Sequence, residues 1–322
     1  MVIALKLPRR LCAAAFAFIV SCVGTMRFEG AVQRIAAPDL SEPLVETYPP
    51  PAQPRDRIKA AVFARINRHR VSEGLRAVAW DEAAARVADA FCAQQVREQT
   101  QGHYLMDGLP PYARTGFAGI FGDGAENSAS AMTTGVWAEE SFEELASNGH
   151  DRMMQERPPH DGHRRTILDP EATHVGVGYF GRGGQFRMAQ EFTTRRLERL
   201  ALQRAGSRLL AISVEGRVLA PDHILFVTIA REPMPVRLTK EQANSHTSYS
   251  YPEPAEAFVP EGYRGMRVIG AATQDHLRLR RDREFAFTYG PDSPGLYTFV
   301  FYVAPREGEK PRPGGSATVL VE

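Results

Sequence analysis

The first regular hydrophobic pattern of the chain begins near residue 56 and has the period of an α-helix. Ile58, Val62 and Ile66 are spaced four residues apart, which places them on one face of a helix. Gly74 is a suitable end for this helix, and Asp81 is a suitable N-cap for a second one. The apolar side of the second helix is formed by Val87, Ala88, Phe91 and Val96. Two amphipathic helices are therefore predicted before residue 100.

The next stretch, residues 107–125, is rich in glycine and proline, which predicts a long irregular loop. A further helical pattern covers about 134–156, with a break near Asn148-Gly149. We expect Trp80, just before the second helix, to fill the core.

After these helices the period changes to two residues. Val175, Val177 and Tyr179 alternate with polar or small residues, and a glycine-rich turn follows at 181–184. The returning strand alternates through Phe186, Met188, Gln190 and Phe192. Helices followed by a hairpin that closes a sheet predict an α+β layered domain.

The last third of the chain has the pattern of an all-β sandwich. Residues 196–206 are charged and are predicted to form a helical bridge, after which short alternating runs fill 207–322. These runs are 209–214, 224–229, 267–269, 284–288, 297–303 and 318–321. The segment from Asp292 to Tyr297 resembles the tyrosine corner of immunoglobulin-like domains, so this domain is predicted to be immunoglobulin-like.

The first 21 residues have the composition of an export signal. Lys6, Arg9 and Arg10 precede an apolar run, Leu11–Ser21, which is shorter than the roughly 20 residues that a spanning helix needs. Ile19-Val20-Ser21-Cys22 then fits the pattern at which bacterial lipoproteins are cleaved and lipidated on the cysteine. Lipidation of Cys22 is predicted; ordinary cleavage nearby and an uncleaved anchor are the alternatives. Residues 22–55 are rich in proline and are predicted to be a semi-extended linker.

Composition and charge exclude several classes of protein. The 322-residue chain is 43% hydrophobic and 24% charged, as is normal for a globular protein of two domains. Its net charge of +1 argues against a nucleic-acid partner, and removal of residues 1–21 with their three positive charges would leave a nearly neutral protein.

The chain contains only three cysteines. Cys12 would leave with the signal and Cys22 would be acylated or lost, so Cys92 would have no partner for an internal disulfide. We expect Cys92 to be a small buried hydrophobic residue.

Four motifs and one extension carry a resemblance to a known family. They are Arg65–Arg70, Gly102-His103-Tyr104, Gly124–Asn127 and Gly162–Leu168, and the last continues into Thr173–Tyr179. In this order they resemble the CAP superfamily of cysteine-rich secretory, antigen 5 and pathogenesis-related proteins, and in particular its bacterial SCP-like members. The resemblance covers roughly 56–195 and implies an α-β-α sandwich. Eukaryotic members are held by several disulfides, which this chain lacks.

The resemblance also implies a cleft built from two histidines and two glutamates. His103, Glu126 and His163 match three of these positions. Glu156 is the preferred fourth residue because it lies seven residues before His163 with a proline turn between them, and Glu140 is the alternative. His160 is expected to be exposed on a loop.

Two imidazoles of this kind can ligate a metal such as Zn²⁺, so His103 and His163 are the candidate metal ligands and the glutamates candidate supports. The cleft would then bind a metal ion, a small ligand or a lipid in an exported protein of the cell envelope. The alternatives are a metal-dependent hydrolase of peptides or envelope polymers, and an adhesion protein with a vestigial cleft. No nucleophile with an attendant base, Gly-x-Ser-x-Gly, His-Glu-x-x-His or P-loop is evident, which favours binding over catalysis.

Overall fold

The computed structural model describes residues 35–205, 211–263, 271–306 and 308–322, so the export signal and Cys22 lie outside the described residues. The helices are α1 (Arg57–Ser72), α2 (Glu82–Glu98), α3 (Pro111–Phe117), α4 (Phe142–Gln155), α5 (Gly162–Ile167) and α6 (Lys240–Ser245). The strands are β1 (Leu44–Thr47), β2 (Ala79–Trp80), β3 (Asp123–Met132), β4 (His174–Arg182), β5 (Gln185–Thr194), β6 (Leu197–Ala205), β7 (Ala211–Val218), β8 (His223–Glu232), β9 (Glu256–Pro260), β10 (Ala272–Leu279), β11 (Glu284–Tyr289), β12 (Gly295–Ala304) and β13 (Arg312–Val321). None of the helices is long and apolar enough to cross a bilayer within these described ranges.

The first domain is a three-layer sandwich around a four-stranded sheet of order β2-β4-β5-β3. Val175 and Val177 point to one side of β4, where they join a core with residues of α1 and α4 such as Val62 and Met153. The other side of the sheet packs on α2 through a cluster that contains Ala88, Phe91, Cys92 and Ala189. The α-β-α architecture and the α+β class are therefore confirmed, with Trp80 and Cys92 buried as expected.

Two glycines of β4 allow α2 to lie directly on the sheet. A Cβ atom at Gly176 would stand 2.1 Å from the backbone nitrogen of Ala85, and one at Gly178 would stand 2.2 Å from that of Asp89. The nearest atoms are helix backbone, which cannot move aside as a flexible side chain can. The helix position is therefore fixed by the absence of side chains at these two positions.

Several predicted elements differ from the structure in the first domain. The glycine-rich stretch 107–125 is not an irregular loop throughout, because it contains α3 and the start of β3. Pro110 and Pro111 start α3, and proline at the first helical position costs no hydrogen bond. Helix α4 begins only at Phe142 and continues unbroken through Asn148-Gly149, where Gly149 lies against Ala129 and Met188 of the sheet.

The second domain contains a nine-stranded sheet of order β1-β6-β7-β11-β10-β9-β8-β12-β13. Strands β11 and β12 are not neighbours in that order, yet the rings of Phe285 and Phe301 have centroids 5.5 Å apart. Phe287 and Phe299 form a second such contact. The sheet thus folds over on itself and encloses one core between its two halves, as in a sandwich.

The predicted helical bridge at 196–206 is wrong, because residues 197–205 form strand β6, paired with β7. A register shift between Leu197 and Arg199 breaks the alternation, so the two-residue period of the buried Leu200 and Leu202 is hard to see in the sequence. Part of the predicted linker is also regular structure, since Leu44–Thr47 form β1 against β6. The predicted strand at 267–269 lies outside the described residues.

The tyrosine-corner prediction at Tyr297 has a structural counterpart. The Tyr297 hydroxyl donates to the carbonyl of Ser293 at 2.7 Å, and the ring is fully buried. The immunoglobulin-like assignment of the whole domain stays a prediction.

The two domains share a packed interface. Gly116 of α3 faces β13 so closely that a Cβ would stand 2.8 Å from the backbone nitrogen of Thr318. Next to this contact, the backbone N–H of Ser316 donates to the carbonyl of Phe121 at 3.1 Å. Arg195, between β5 and β6, ion-pairs with Asp81 of the first domain and with Glu46 of β1. Helix α3 therefore lies between the sheet of the second domain and the cleft described below.

We predict that Gly176→Ala and Gly178→Ala each lower the free energy of unfolding by about 1–3 kcal/mol, because the added methyl forces α2 away from β4. Urea denaturation followed by circular dichroism measures the change. Gly290→Ala is the control, since a Cβ there has no atom within 4 Å; it should change stability by less than about 0.5 kcal/mol. Equal stability of all three variants would show that α2 is not held by this close approach.

Candidate functional site

The first half of the site is a buried histidine–glutamate pair. His103 follows Gly102, whose φ of +86° turns the chain after α2, and the residue is only 8% exposed. The Nδ1 atom of His103 is 2.8 Å from Oε1 of Glu126 on β3. Glu126 lies within strand β3, as do the other residues of its Gly124–Asn127 motif.

Arg114 of α3 completes this pair. Its Nη2 donates to Oε2 of Glu126 at 2.6 Å, and its Nη1 donates to the backbone carbonyl of His103 at 3.0 Å. The guanidinium also lies over the ring of Phe91, 4.1 Å from its centroid. Burial opposes ionisation of Glu126, but the nearby Arg114 charge and the His103 hydrogen bond outweigh it and lower the pKa of Glu126. Glu126 is therefore a carboxylate.

Glu191 of β5 places a second carboxyl group directly across the sheet from Glu126. Burial, and next the negative charge of Glu126, raise the pKa of Glu191 well above its ordinary value. Glu191 is therefore protonated at neutral pH and shares a hydrogen bond with Glu126. Two carboxyl groups this close cannot both ionise in a buried position.

The second half of the site is a more exposed pair at the start of α5. His163 lies in the first turn of that helix, and its Nδ1 is 2.6 Å from Oε1 of Glu156. The other oxygen of Glu156 accepts from the backbone N–H of His163 at 3.0 Å. The His163 side chain is 34% exposed, so this pair opens toward solvent.

The two pairs face one another. The rings of His103 and His163 have centroids 6.5 Å apart, and Asn127, next to Glu126, donates from Nδ2 to the carbonyl of His163 at 3.1 Å. The structure thus brings together His103, Glu126, Glu156 and His163. Glu140, the alternative to Glu156, is exposed on a short 3-10 turn, and His160 is exposed as expected.

The second domain contributes a wall to this cleft. Residues 236–251, which we name the strap, run from β8 toward β9 across the first domain. Tyr249 of the strap accepts a hydrogen bond from the backbone N–H of Glu126, and its ring meets that of His103 edge-on, with centroids 4.9 Å apart. Asn244 accepts from the backbone N–H of Gln101 at 2.8 Å, and Leu238 donates to the carbonyl of Met106 at 2.9 Å.

Three of these residues were not found from the sequence. Arg114 lies in a stretch that had been predicted to be a loop, and Glu191 lies in a strand whose predicted pattern rested on its apolar positions. Tyr249 lies 70 residues beyond Tyr179, where the extension of the last motif ends. The sequence offers one signal, which is Glu191 within a predicted β-strand of the sheet. A glutamate in such a strand is seldom buried without a partner.

The fold and the paired histidines define a three-layer α+β domain with an imidazole–carboxylate cleft. Residues 63–192 match the model of the CAP family, described as the cysteine-rich secretory protein family. This part of the chain, under half of its length, is therefore a CAP domain, as the motif order predicted. None of the curated proteins matches the chain.

Two solved structures are similar to part of the chain. An outer surface protein from Borrelia burgdorferi is 14% identical with a TM-score of 0.36, over 44% of this chain and 96% of that protein. An extracellular protein containing an SCP domain from Bacillus anthracis str. Ames is 17% identical with a TM-score of 0.31, over 43% of this chain. This chain covers 40% of the length of the Bacillus protein.

We predict that Glu191→Gln stabilises the protein increasingly as the pH rises above 4.5. The unfolded chain ionises Glu191 near pH 4.5, whereas its raised pKa keeps it protonated in the folded protein. The folded state then holds one extra proton, so wild-type stability falls with pH by up to about 1.4 kcal/mol per unit, until the folded-state pKa is passed. A glutamine keeps a donor for Glu126 and removes this loss. Urea denaturation of both proteins at pH 5 and pH 8 measures the difference.

Glu126→Gln provides the contrasting variant. It leaves the Arg114 charge buried without a carboxylate, and removing one partner of a buried ion pair typically costs about 3–5 kcal/mol. If the stability of Glu191→Gln relative to the wild type did not rise between pH 5 and pH 8, the assignment of the proton to Glu191 would be wrong.

Proposed function

We propose that the protein is an exported CAP-domain protein whose cleft binds a divalent metal ion, with Zn²⁺ the first candidate, or a small polar ligand. The observation that carries the proposal is that each imidazole uses Nδ1 for a carboxylate. A neutral imidazole with its proton on Nδ1 keeps a lone pair on Nε2, which suits a metal or a hydrogen-bond donor. Glu126 and Glu156 act in this proposal as supports that orient the rings.

The charge of the cleft supports a cationic ligand. The carboxylate of Glu126 is balanced by Arg114, and Glu191 is neutral. Among the residues that the structure describes, the carboxylate of Glu156 is hydrogen-bonded to the backbone and ring of His163 and to no lysine or arginine. With neutral imidazoles the cleft has a net charge of about −1, which attracts a cation.

The donor set fits a metal with an incomplete set of protein ligands. Two imidazoles with supporting carboxylates resemble the arrangement in which a protein leaves coordination positions open to water or a ligand. In the described part of the chain, the one group that brings three ligand atoms within 4.8 Å of each other lies elsewhere. A cleft metal would therefore be held by His103 and His163, and the remaining positions would be available to a small ligand.

The groups around the imidazoles favour binding over hydrolysis by a serine, threonine or cysteine nucleophile. Among the described residues, the hydrogen bonds of the two rings go to carboxylates, and no serine, threonine or cysteine side chain is bonded to either ring. The hydroxyl of Tyr249, whose ring contacts His103, accepts from the Glu126 backbone. Nucleophilic catalysis by a hydroxyl or thiol needs that group in hydrogen-bond contact with a base.

We expect that His103→Ala and His163→Ala each remove one equivalent of bound Zn²⁺, because each deletes one of only two protein ligands. Protein purified without an affinity tag is stripped with a chelator, dialysed against Zn²⁺ and measured by elemental analysis. His160→Ala, which deletes an exposed imidazole, is the control and should bind as the wild type does. Equal zinc content in all four proteins would exclude the cleft as the metal site.

Export and membrane attachment form the second part of the proposal. The apolar segment that ends at Ser21, followed by Cys22 and a proline-rich stretch, supports an exported lipoprotein of the cell envelope. Acyl chains contribute roughly 0.8 kcal/mol per buried CH₂, so several chains on one cysteine give stable attachment.

Cys22→Ala tests this attachment. Wild-type protein expressed in a bacterial host should partition into the detergent phase, whereas the variant should be released or retain its export signal. Mass spectrometry of the N-terminus reports the modification directly. An unmodified wild-type N-terminus beyond residue 22 would exclude lipidation and leave the cleft proposal unchanged.

A further inference from the structure

A second group of ligating side chains lies between α1 and α4. His69 belongs to the last turn of α1, and His150 and Asp151 are consecutive residues of α4. One ligand atom of each lies within 4.8 Å of the others. We infer that His69, His150 and Asp151 form a second site for a divalent cation, which shares no ligand with the cleft and takes Zn²⁺ through two imidazoles and one carboxylate.

The spacing of the two imidazoles suits a shared metal ion. Nδ1 of His69 and Nε2 of His150 are 2.9 Å apart, with ring centroids at 5.1 Å. Two nitrogens bound to a tetrahedral zinc, each at roughly 2.0–2.1 Å, lie about 3.3 Å apart. A shift of a few tenths of an ångström would admit the ion, and His69 is the half-buried partner that can make it.

The chemistry of His150 agrees with a ligand role. His150 is fully buried, so its two ring nitrogens face neighbouring side chains and not water. Its Nδ1 is 3.1 Å from the side-chain amide of Gln190. A rotated amide would accept from a protonated Nδ1 through its oxygen and leave Nε2 free for the metal, which is the usual support for a ligating histidine. This rotation gives up the long contact, 3.5 Å, between Nδ2 of Asn127 and the Gln190 oxygen.

Arg65 is the competitor for this site. Its Nη1 lies 3.0 and 3.3 Å from the two oxygens of Asp151 and so neutralises the carboxylate that a cation would use. The pair is about one-third exposed, so its attraction is weakened by solvent. One guanidinium nitrogen leaves other lone pairs of the carboxylate available. The carbonyl end of α1, where His69 lies, adds a partial negative charge that favours a cation.

Zn²⁺ binding to the full chain without an affinity tag tests the inference. Chelator-stripped wild type, His69→Ala and Asp151→Asn are titrated with Zn²⁺ by calorimetry, and Co²⁺ spectra report the ligand set. Both variants should lose one equivalent relative to the wild type. The double variant His103→Ala/His163→Ala should keep that equivalent, which separates this site from the cleft.

Arg65→Gln tests the competition directly. The ion pair between Arg65 and Asp151 is partly exposed and therefore weak, so its removal should tighten Zn²⁺ binding about two- to fivefold. His160→Ala should leave Zn²⁺ binding unchanged. A purely structural contact between the two histidines predicts no response to Arg65→Gln and equal zinc in His69→Ala and wild type, and that result would overturn the inference. Circular dichroism checks that each variant is folded. Asp151→Asn changes a half-buried position and keeps the test decisive if His69→Ala does not fold.

Discussion

The buried ion pair between Arg114 and Glu126 is the interaction on which the rest of the site depends. A buried carboxylate and guanidinium each lose several kcal/mol of hydration, which only close pairing and further hydrogen bonds offset. Here the guanidinium also binds the His103 carbonyl, and the carboxylate also binds the His103 ring. The chain around His103, α3 and β3 are thereby fixed to one another.

This arrangement explains why a neutral acid lies in the centre of the sheet. One positive charge balances one carboxylate, so Glu191, directly opposite Glu126, is stable only when it is protonated. The polar centre continues through Asn127 to the backbone of His163. The half-buried His163–Glu156 pair is thus oriented from within the domain, although it opens toward solvent.

The sequence predicted those parts of the fold that are determined locally. Helices α1 and α2 follow from their four-residue apolar spacing and from Asp81, whose side chain caps α2. Strand β6 was missed because a register shift at its start hides the alternation, and α3 because glycine and proline surround it. In the site, the motif order indicated both histidines, and the proline turn between Glu156 and His163 favoured Glu156 over Glu140. Arg114, Glu191 and Tyr249 could not be found this way, because their roles arise from contacts across the sheet or between domains.

For a cleft ligand of the kind proposed above, the position of Tyr249 would couple the size of the ligand to the docking of the second domain. A small ligand that fits beside the phenol ring leaves the interface intact. A larger ligand has to displace the ring. Part of its binding free energy is then offset by the cost of separating the strap from Glu126, Gln101 and Met106. Its apparent affinity falls by that amount, and the second domain gains freedom to move. A fragment without the second domain would lack Tyr249 and the strap. It would therefore accept larger ligands than the whole chain.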